Sequence, residues 1–342
     1  MKRIRLILIG VGNLGRRFCA LLLEKGTLLR TRYDLEFTLV GAADSRGAAC
    51  DPRGLDLADI VRVKESGGSV ADCASRRPGL DALALLDAVP ADVLLEASPV
   101  NLAQGAEPGL SCVRAALRRG MHVVTPNKGP LVLAYRELHA LAREHGVLLR
   151  FDGAVAGGLP AINLGARDLR GAVVERLEAV PNLVTGYVMD LLAEGVPWDD
   201  ALARAYTEGV LEGDGVWDLE GWDAAAKLVI LANAVMDYPA TLEMVTRTGI
   251  VGLDIHKLSA AHARGERYRV VASALRQPNR TYTLSAAPRP LPADHPFGRL
   301  GRKEMAVRYT TDIYGTITAI IEEPDPIPSS ATMLRDLLDI YG

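Results

Sequence analysis

A chain of 342 residues is longer than one small core requires and points to two domains. Its 39 basic and 42 acidic side chains nearly cancel to a net charge of −3. With no basic excess to follow a phosphate backbone, nucleic acid is excluded as a partner. The apolar run Leu6–Ile9 stops at Gly10, too short for a signal-peptide core or a membrane span. The cysteines Cys19, Cys50, Cys73 and Cys112 are scattered without metal-ligand spacing, so they read as free thiols in the reducing cytoplasm.

Arg5–Ile9 has the continuous apolar pattern of a buried parallel strand. Gly10-Val11-Gly12-Asn13-Leu14-Gly15 follows, and then a helical pattern through Phe18, Leu21, Leu22 and Leu23 to Gly26. This is G-x-G-x-x-G with a strand before it and a helix after it. The first two glycines let the backbone turn and approach a pyrophosphate, the third admits close helix–strand packing, and the amides at the helix start hold the anion. A dinucleotide is therefore expected on these six residues.

A second strand is predicted over Glu36–Ala43, ending in Asp44-Ser45-Arg46. Asp44 is placed to accept from ribose hydroxyls, which suits NAD, whereas the hydroxyl of Ser45 and the guanidinium of Arg46 suit the 2′-phosphate of NADP. A plain turn residue is the alternative for Asp44. Val61–Arg77 is polar and carries glycine, and Leu80–Leu86 reads as a helix. Val93–Glu96 is a third buried strand, leading into Ala97-Ser98-Pro99 at the edge where open α/β sheets bind ligands. A helix over Gly109–Arg119 and a strand over His122–Thr125 lead to Pro126-Asn127-Lys128-Gly129-Pro130. Lys128, on a loop held between two prolines, is assigned to the cleft rather than to solubility.

Tyr135–His145 is predicted helical and Val147–Phe151 a strand. The glycine-dense run Asp152–Pro160 then joins the domains, as a hinge, a close-packed turn or a set of carbonyls for a monovalent cation. Strand patterns at Gly171–Ala179, Tyr268–Ala274, Thr281–Ser285, Ala306–Thr311 and Thr316–Glu322 make a mixed sheet, with helices at Tyr187–Glu194, Pro197–Gly209 and Ala331–Ile340. A further helix begins near Gly221 or Trp222 and carries Asp223 and Lys227 four apart, on one face. Upstream lie Glu212, Asp214, Asp218 and Glu220. An ordinary surface i,i+4 pair would explain Asp223 and Lys227 alone, but one ammonium facing several carboxylates also suits a zwitterionic amino acid. The fold class expected is α/β: a Rossmann-type parallel sheet domain (1–151), a second α+β catalytic and dimerisation domain with a mixed sheet (152–322), and a C-terminal segment and helix returning to the first domain (323–342).

The order of motifs resembles homoserine dehydrogenase over nearly the whole chain. The residues that carry it are the Gly10–Gly15 turn, Glu96-Ala-Ser-Pro99, Gly120-Met-His-Val-Val-Thr-Pro-Asn-Lys128-Gly-Pro, Asp152-Gly-Ala-Val-Ala-Gly-Gly-Leu-Pro160 and Asp218-Leu-Glu-Gly-Trp-Asp223-Ala-Ala-Ala-Lys227. The glycine turn is generic to dinucleotide enzymes, while the Asn-Lys-Gly-Pro and Glu-Gly-Trp-Asp-x-x-x-Lys segments are far more specific. The resemblance implies NAD- or NADP-dependent interconversion of L-homoserine and L-aspartate 4-semialdehyde, on the branch toward threonine and methionine. It makes Lys227 the proton donor to the carbonyl, with Lys128 and Asp223 beside it. It assigns substrate binding to Glu212, Asp218, Asp223 and Thr185, and adds Ser98, Pro99, Lys128 and Gly209 to the cofactor contacts. It further implies a sodium or potassium ion at Asp152, Val155, Gly157 and Leu159, and a homodimer formed through the second sheet.

The sequence departs from the family at defined places. Asn182-Leu-Val-Thr185-Gly186 stands where Asn-Gly-Thr-Thr-Asn is usual, Asp152 where Glu is usual, and Ala156 where Gly is usual. Pro326-Ile-Pro-Ser-Ser330 replaces a glycine-rich cofactor loop, and no tail of the length of a regulatory domain is expected. These departures bear on substrate and cation. They leave open a paralogous dehydrogenase for another small oxo-acid or amino aldehyde, or a nicotinamide-binding sensor without turnover.

Overall fold

The structure, a computed structural model, describes residues 1–211 and 213–342. The chain forms two compact units, Met1–Ala154 with Pro326–Gly342, and Val155–Asp325.

The first unit is built on the strands β1 (Lys2–Ile9), β2 (Leu35–Asp44), β3 (Gly47–Cys50), β4 (Arg76–Arg77), β5 (Val93–Glu96), β6 (His122–Val124) and β7 (Leu149–Arg150), in the order β4-β3-β2-β1-β5-β6-β7. From β2 through β1 to β7 the strands are parallel, and β3 and β4 extend the edge antiparallel. Both faces of β1 are covered, which is why its inner residues Leu6, Ile7 and Leu8 are all apolar and fully buried. Helix Asn13–Tyr33 lays Phe18, Cys19, Leu22 and Leu29 on one face. Leu85 from helix Ala82–Ala88 presses on Gly41, where an added Cβ would come within 3.1 Å of its side chain. The last helix, Ile327–Tyr341, returns to the same core through Met333 and Leu337.

The second unit holds β8 (Val174–Val180), β9 (Val245–Arg247), β10 (Arg267–Arg276), β11 (Tyr282–Leu291), β12 (Glu304–Thr311) and β13 (Gly315–Glu322), in the order β13-β12-β8-β10-β11-β9. The pairing is antiparallel except between β11 and β9. Leu177, Ala179, Ala272, Ala274, Leu284 and Ala286 are buried on one face, against which helices Leu183–Ala193 and Trp222–Met236 pack. The second of these is buried almost continuously from Asp223 to Asn233, as its unbroken apolar run requires. Among the described residues no helix is long and apolar enough to cross a membrane.

Two local features differ from expectation. Helix Leu57–Glu65 and strand β3 arise where no element was expected, and β4 lies in Val61–Arg77, expected only as polar, glycine-bearing chain; β3 is Gly-Ala-Ala-Cys, small residues with little strand signature. Lys128 is not in a loop but opens helix Lys128–Glu144, which is broken once at Ala134. Asn127 caps that helix, and Pro130 sits in its first turn, where a missing N–H costs nothing.

Candidate active site

In the first unit the glycine turn joins β1 to the start of helix Asn13–Tyr33, and each glycine is required for a different reason. Gly10 has φ +91°, and a Cβ there would lie 2.3 Å from the Ala97 carbonyl carbon. A Cβ on Gly15 would lie 2.3 Å from the Gly10 carbonyl oxygen, so helix and turn touch backbone to backbone. At Gly12, by contrast, nothing in the protein lies within 4 Å of the Cβ position. That space is open at the helix N-terminus, where Gly12 supplies no side-chain cap to the first amides. Val11 is fully buried beneath the turn, whereas Asn13 is exposed, its Oδ1 accepting from Arg17 at 3.1 Å.

Asp44 ends β2, and its carboxylate is engaged inside the protein. It accepts from Lys64 Nζ at 2.8 Å, Ser69 Oγ at 2.7 Å, the Val70 amide at 3.0 Å and the Arg46 amide at 3.0 Å. Burial alone would raise its pKa; these donors outweigh burial and hold the carboxyl below its ordinary value. Four donors occupy the lone pairs that ribose hydroxyls would otherwise use. Arg46 is exposed and donates to the Gly67 carbonyl at 3.1 Å, and Ser45 is exposed in the same turn. Lys64 and Ser69, not expected at this site from the sequence, come from helix Leu57–Glu65 and the turn after it.

At the end of β5 the fully buried Glu96 accepts from the Ser98 amide at 2.9 Å, from the Ser98 hydroxyl, and from Thr125 Oγ1 at 3.1 Å. Burial pushes its pKa up, against the opposing pull of Ser98, Thr125 and Asn127. The network gathers the loop Ala97-Ser98-Pro99 and the cap of the helix that Lys128 opens.

In the second unit Gly221, at φ +80°, breaks the chain before helix Trp222–Met236. Asp223 in the first turn meets Lys227 in the second, with Nζ 2.8 Å from Oδ2. Lys227 also donates to the Pro181 carbonyl at 2.7 Å. The side chains of the pair are only 13% and 6% exposed, so this is not a solvated surface pair. Removing two charges from water is costly, and the extra hydrogen bonds offset part of that cost. Asn182, not among the site residues expected from the sequence, joins the pair. Its amide nitrogen donates to Asp223 Oδ2 at 2.7 Å and to Asp218 Oδ1, while its carbonyl caps helix Leu183–Ala193 by accepting from the Thr185 amide at 3.2 Å. Thr185 is 2% exposed, and its hydroxyl has no hydrogen-bond partner among the described residues. Glu212 lies outside the described residues. Gly209, at φ +68°, ends the turn after helix Trp198–Thr207.

The Asp152 carboxylate pairs with Arg335, and the Leu159 carbonyl already accepts from the Ala161 amide at 2.7 Å. The carboxylate set against Gly157 and Gly158 is that of Glu323, which accepts from the Gly158 amide at 3.2 Å. No cluster of three metal-ligating side chains occurs among the described residues. The Asp152 carboxylate is occupied by a guanidinium, and backbone carbonyls of the loop are the donors a monovalent cation would use.

A glycine turn of this form on a parallel sheet, together with a buried lysine among carboxylates, defines a class: the nicotinamide-dependent oxidoreductases. Residues 10–152 match the model of the homoserine dehydrogenase NAD-binding domain, and residues 160–338 match that of homoserine dehydrogenase. The chain is 32% identical over 338 residues to homoserine dehydrogenase of Methanocaldococcus jannaschii, covering 98% of each. It is 32% identical over 346 residues to an NAD(+)-dependent homoserine dehydrogenase of Pseudomonas canavaninivorans, covering 100% of this chain and 97% of the relative. In structure it is similar to a hyperthermophilic archaeal homoserine dehydrogenase in complex with NADPH, with TM-score 0.83, 25% identity and coverage of 99% and 98%. The chain belongs to the homoserine dehydrogenase family. It is an NAD(P)-dependent enzyme acting on a small molecule.

Proposed function

We propose that this enzyme interconverts L-homoserine and L-aspartate 4-semialdehyde, with Lys227 as proton donor during reduction. The observation that carries the reading is the buried Lys227, held by Asp223 and the Pro181 carbonyl. A nicotinamide held by the glycine turn Gly10–Gly15, Ser98, Pro99 and Lys128 would supply hydride chemistry at the aldehyde carbon, in either direction. Negative charge then develops on the substrate oxygen, where an ammonium both stabilises it and delivers a proton. Asp218 and Asp223, held together by Asn182, offer negative charge for the substrate's ammonium, and the Thr185 hydroxyl offers a further polar contact. Glu212 joins this set on the family resemblance alone. On the first unit, Gly10 to Gly15 bind the pyrophosphate, while Ser98, Pro99 and Lys128 serve the nicotinamide half. Gly209 is assigned to the cofactor by the resemblance only.

Because Asp44 is already paired with Lys64, it is the weaker of the ribose ligands expected, and Ser45, Arg46 and Lys64 make NADP an acceptable cofactor beside NAD. The face of the second sheet opposite helices Leu183–Ala193 and Trp222–Met236 pairs Glu178 with Ser273 and Arg308, with Arg176 two residues along on the same face. Mixed charge of this kind suits an isologous homodimer, to be checked by sedimentation equilibrium. The four cysteines are free and buried, in keeping with a cytoplasmic location. The deciding experiment is steady-state oxidation of L-homoserine with NAD and NADP in parallel, beside a panel of small hydroxy-acids and amino alcohols. Turnover of homoserine above the panel supports the assignment; turnover of another substrate alone replaces homoserine, and tight NAD binding without turnover of any makes the protein a sensor.

A further inference from the structure

We propose that Glu96 is a positioning residue for the nicotinamide half of the cofactor, fixing the loops that receive it and biasing binding toward the oxidised form. The inference rests on the dinucleotide reading of the first unit. In an open parallel sheet the ligand lies outside the strand carboxyl ends at the point where strand order reverses. Here that point is between β1 and β5, so the half of the dinucleotide beyond the pyrophosphate, away from β2, faces the ends of β5 and β6. Glu96 is the last residue of β5 and is fully buried. The loop after it is built into the glycine turn: the Ala97 amide donates to the Ile9 carbonyl at 2.7 Å, and Ala97 leaves no room for a Cβ on Gly10.

The carboxylate is the hub of a directed chain of hydrogen bonds. The Asn127 amide nitrogen donates to Ser98 Oγ at 3.4 Å, which turns the serine proton toward Glu96 Oε1. Asn127 Oδ1 in turn accepts from the Gly129 amide at 2.9 Å, fixing the first turn of the helix that Lys128 opens. Thr125 Oγ1 donates between the Glu96 carbonyl at 2.9 Å and Oε2 at 3.1 Å, and itself accepts from the Asn127 amide at 3.1 Å. A Cβ on Gly109 would sit 3.1 Å from Glu96 Oε1 and 2.8 Å from Asn127 Nδ2, so the hub is closed by backbone. The Ser98 amide, Ser98 hydroxyl and Thr125 hydroxyl all donate to the carboxyl, an arrangement that satisfies an anion. The nicotinamide ring is a cation only when oxidised. An anion buried beneath the loops that carry it therefore favours that form, whereas the loops' geometry serves both forms alike.

Glu96→Gln tests this with little disturbance, since Gln Oε1 can keep both Ser98 donors. Its amide can donate to Thr125 Oγ1, whose single proton, shared in wild type, then goes wholly to the backbone carbonyl of residue 96. The Kd of the oxidised and of the reduced dinucleotide is measured by calorimetry and by nicotinamide fluorescence, without turnover. The expected result is that the oxidised form weakens about fivefold more than the reduced form, the effect of one screened charge at moderate distance. Equal weakening of the two forms, or no change, overturns the inference. Glu96→Asp keeps the charge while shortening its reach. It is expected to weaken both forms and hold their ratio within about twofold of wild type, and a shifted ratio there overturns the inference even if the Gln variant does not fold. If the unaltered protein binds neither form, the dinucleotide reading itself fails, and this inference with it.

Discussion

Asp223 and Lys227 stand one helical turn apart with their charged atoms 2.8 Å from each other, and the same carboxylate oxygen also accepts from Asn182 at 2.7 Å. The lysine is thus aimed by its neighbours before any substrate arrives. Replacing it with methionine keeps the stem and removes the proton. Lys227→Met should lower kcat by about 10²–10⁴-fold, the usual worth of a positioned general acid, with the Kd for the dinucleotide unchanged. Turnover near wild type would remove Lys227 from the chemistry.

Asn182 separates two carboxylates that would otherwise repel one another. Asn182→Ala leaves Asp218 and Asp223 facing without a shared donor and removes the cap of helix Leu183–Ala193, a loss of about 1 kcal/mol by itself. The KM for the amino-acid substrate should rise about tenfold or more, in line with a lost hydrogen bond to a charged group, while the KM for the dinucleotide stays put. A drop in stability with both KM values intact would confine Asn182 to capping.

Gly12 and Gly15 should respond oppositely to alanine. At Gly15 the added methyl meets the Gly10 carbonyl oxygen at 2.3 Å, so helix and turn must separate. Overpacking of this kind costs about 1–3 kcal/mol, and Gly15→Ala should lower Tm. At Gly12 the methyl enters open space, so Gly12→Ala should leave Tm within about 1–2 °C yet weaken dinucleotide binding by about tenfold or more, because the phosphate can no longer approach the amides. Thermal unfolding and calorimetric titration of the two variants check the contrast.

Asp44 ties stability to pH. Its carboxyl is held below the unfolded value by Lys64, Ser69 and two backbone amides. Its contribution is therefore fully present above the unfolded pKa of about 3.9 and is lost as pH falls through the lower folded value. Asp44→Asn should be less stable than wild type at pH 7, and the gap between the two melting curves should close on acidification below about pH 4. A gap independent of pH would mean that the carboxylate is not held charged in the folded state.

The parts legible in the sequence were those where one local pattern fixes one local structure. Strand, glycine turn and helix over residues 2–33 follow from an apolar run, three glycines and a helical period, and the start of helix Trp222–Met236 follows from Gly221 and the alanines. What escaped notice depends on partners distant in sequence. Nothing about Lys64 announces that it neutralises Asp44, since the contact is made by folding helix Leu57–Glu65 back over the end of β2. Asn182 stands in the sequence only at the head of a segment that departs from the family, and folding brings Asp218 and Asp223 to it. The pairing of the Asp152 carboxylate with Arg335 is likewise made only by folding, since its partner lies far downstream.

The return of helix Ile327–Tyr341 to the first core has a consequence for synthesis on the ribosome. Translation delivers the glycine turn almost at once, yet Met333 and Leu337, which share the core with helix Asn13–Tyr33, emerge more than three hundred residues later. Until then an oily seam stays wet, so the nucleotide-binding half is begun first and completed last. A nascent chain paused in between is a natural client for holding chaperones, and residues 1–154 excised alone would be prone to stick to one another.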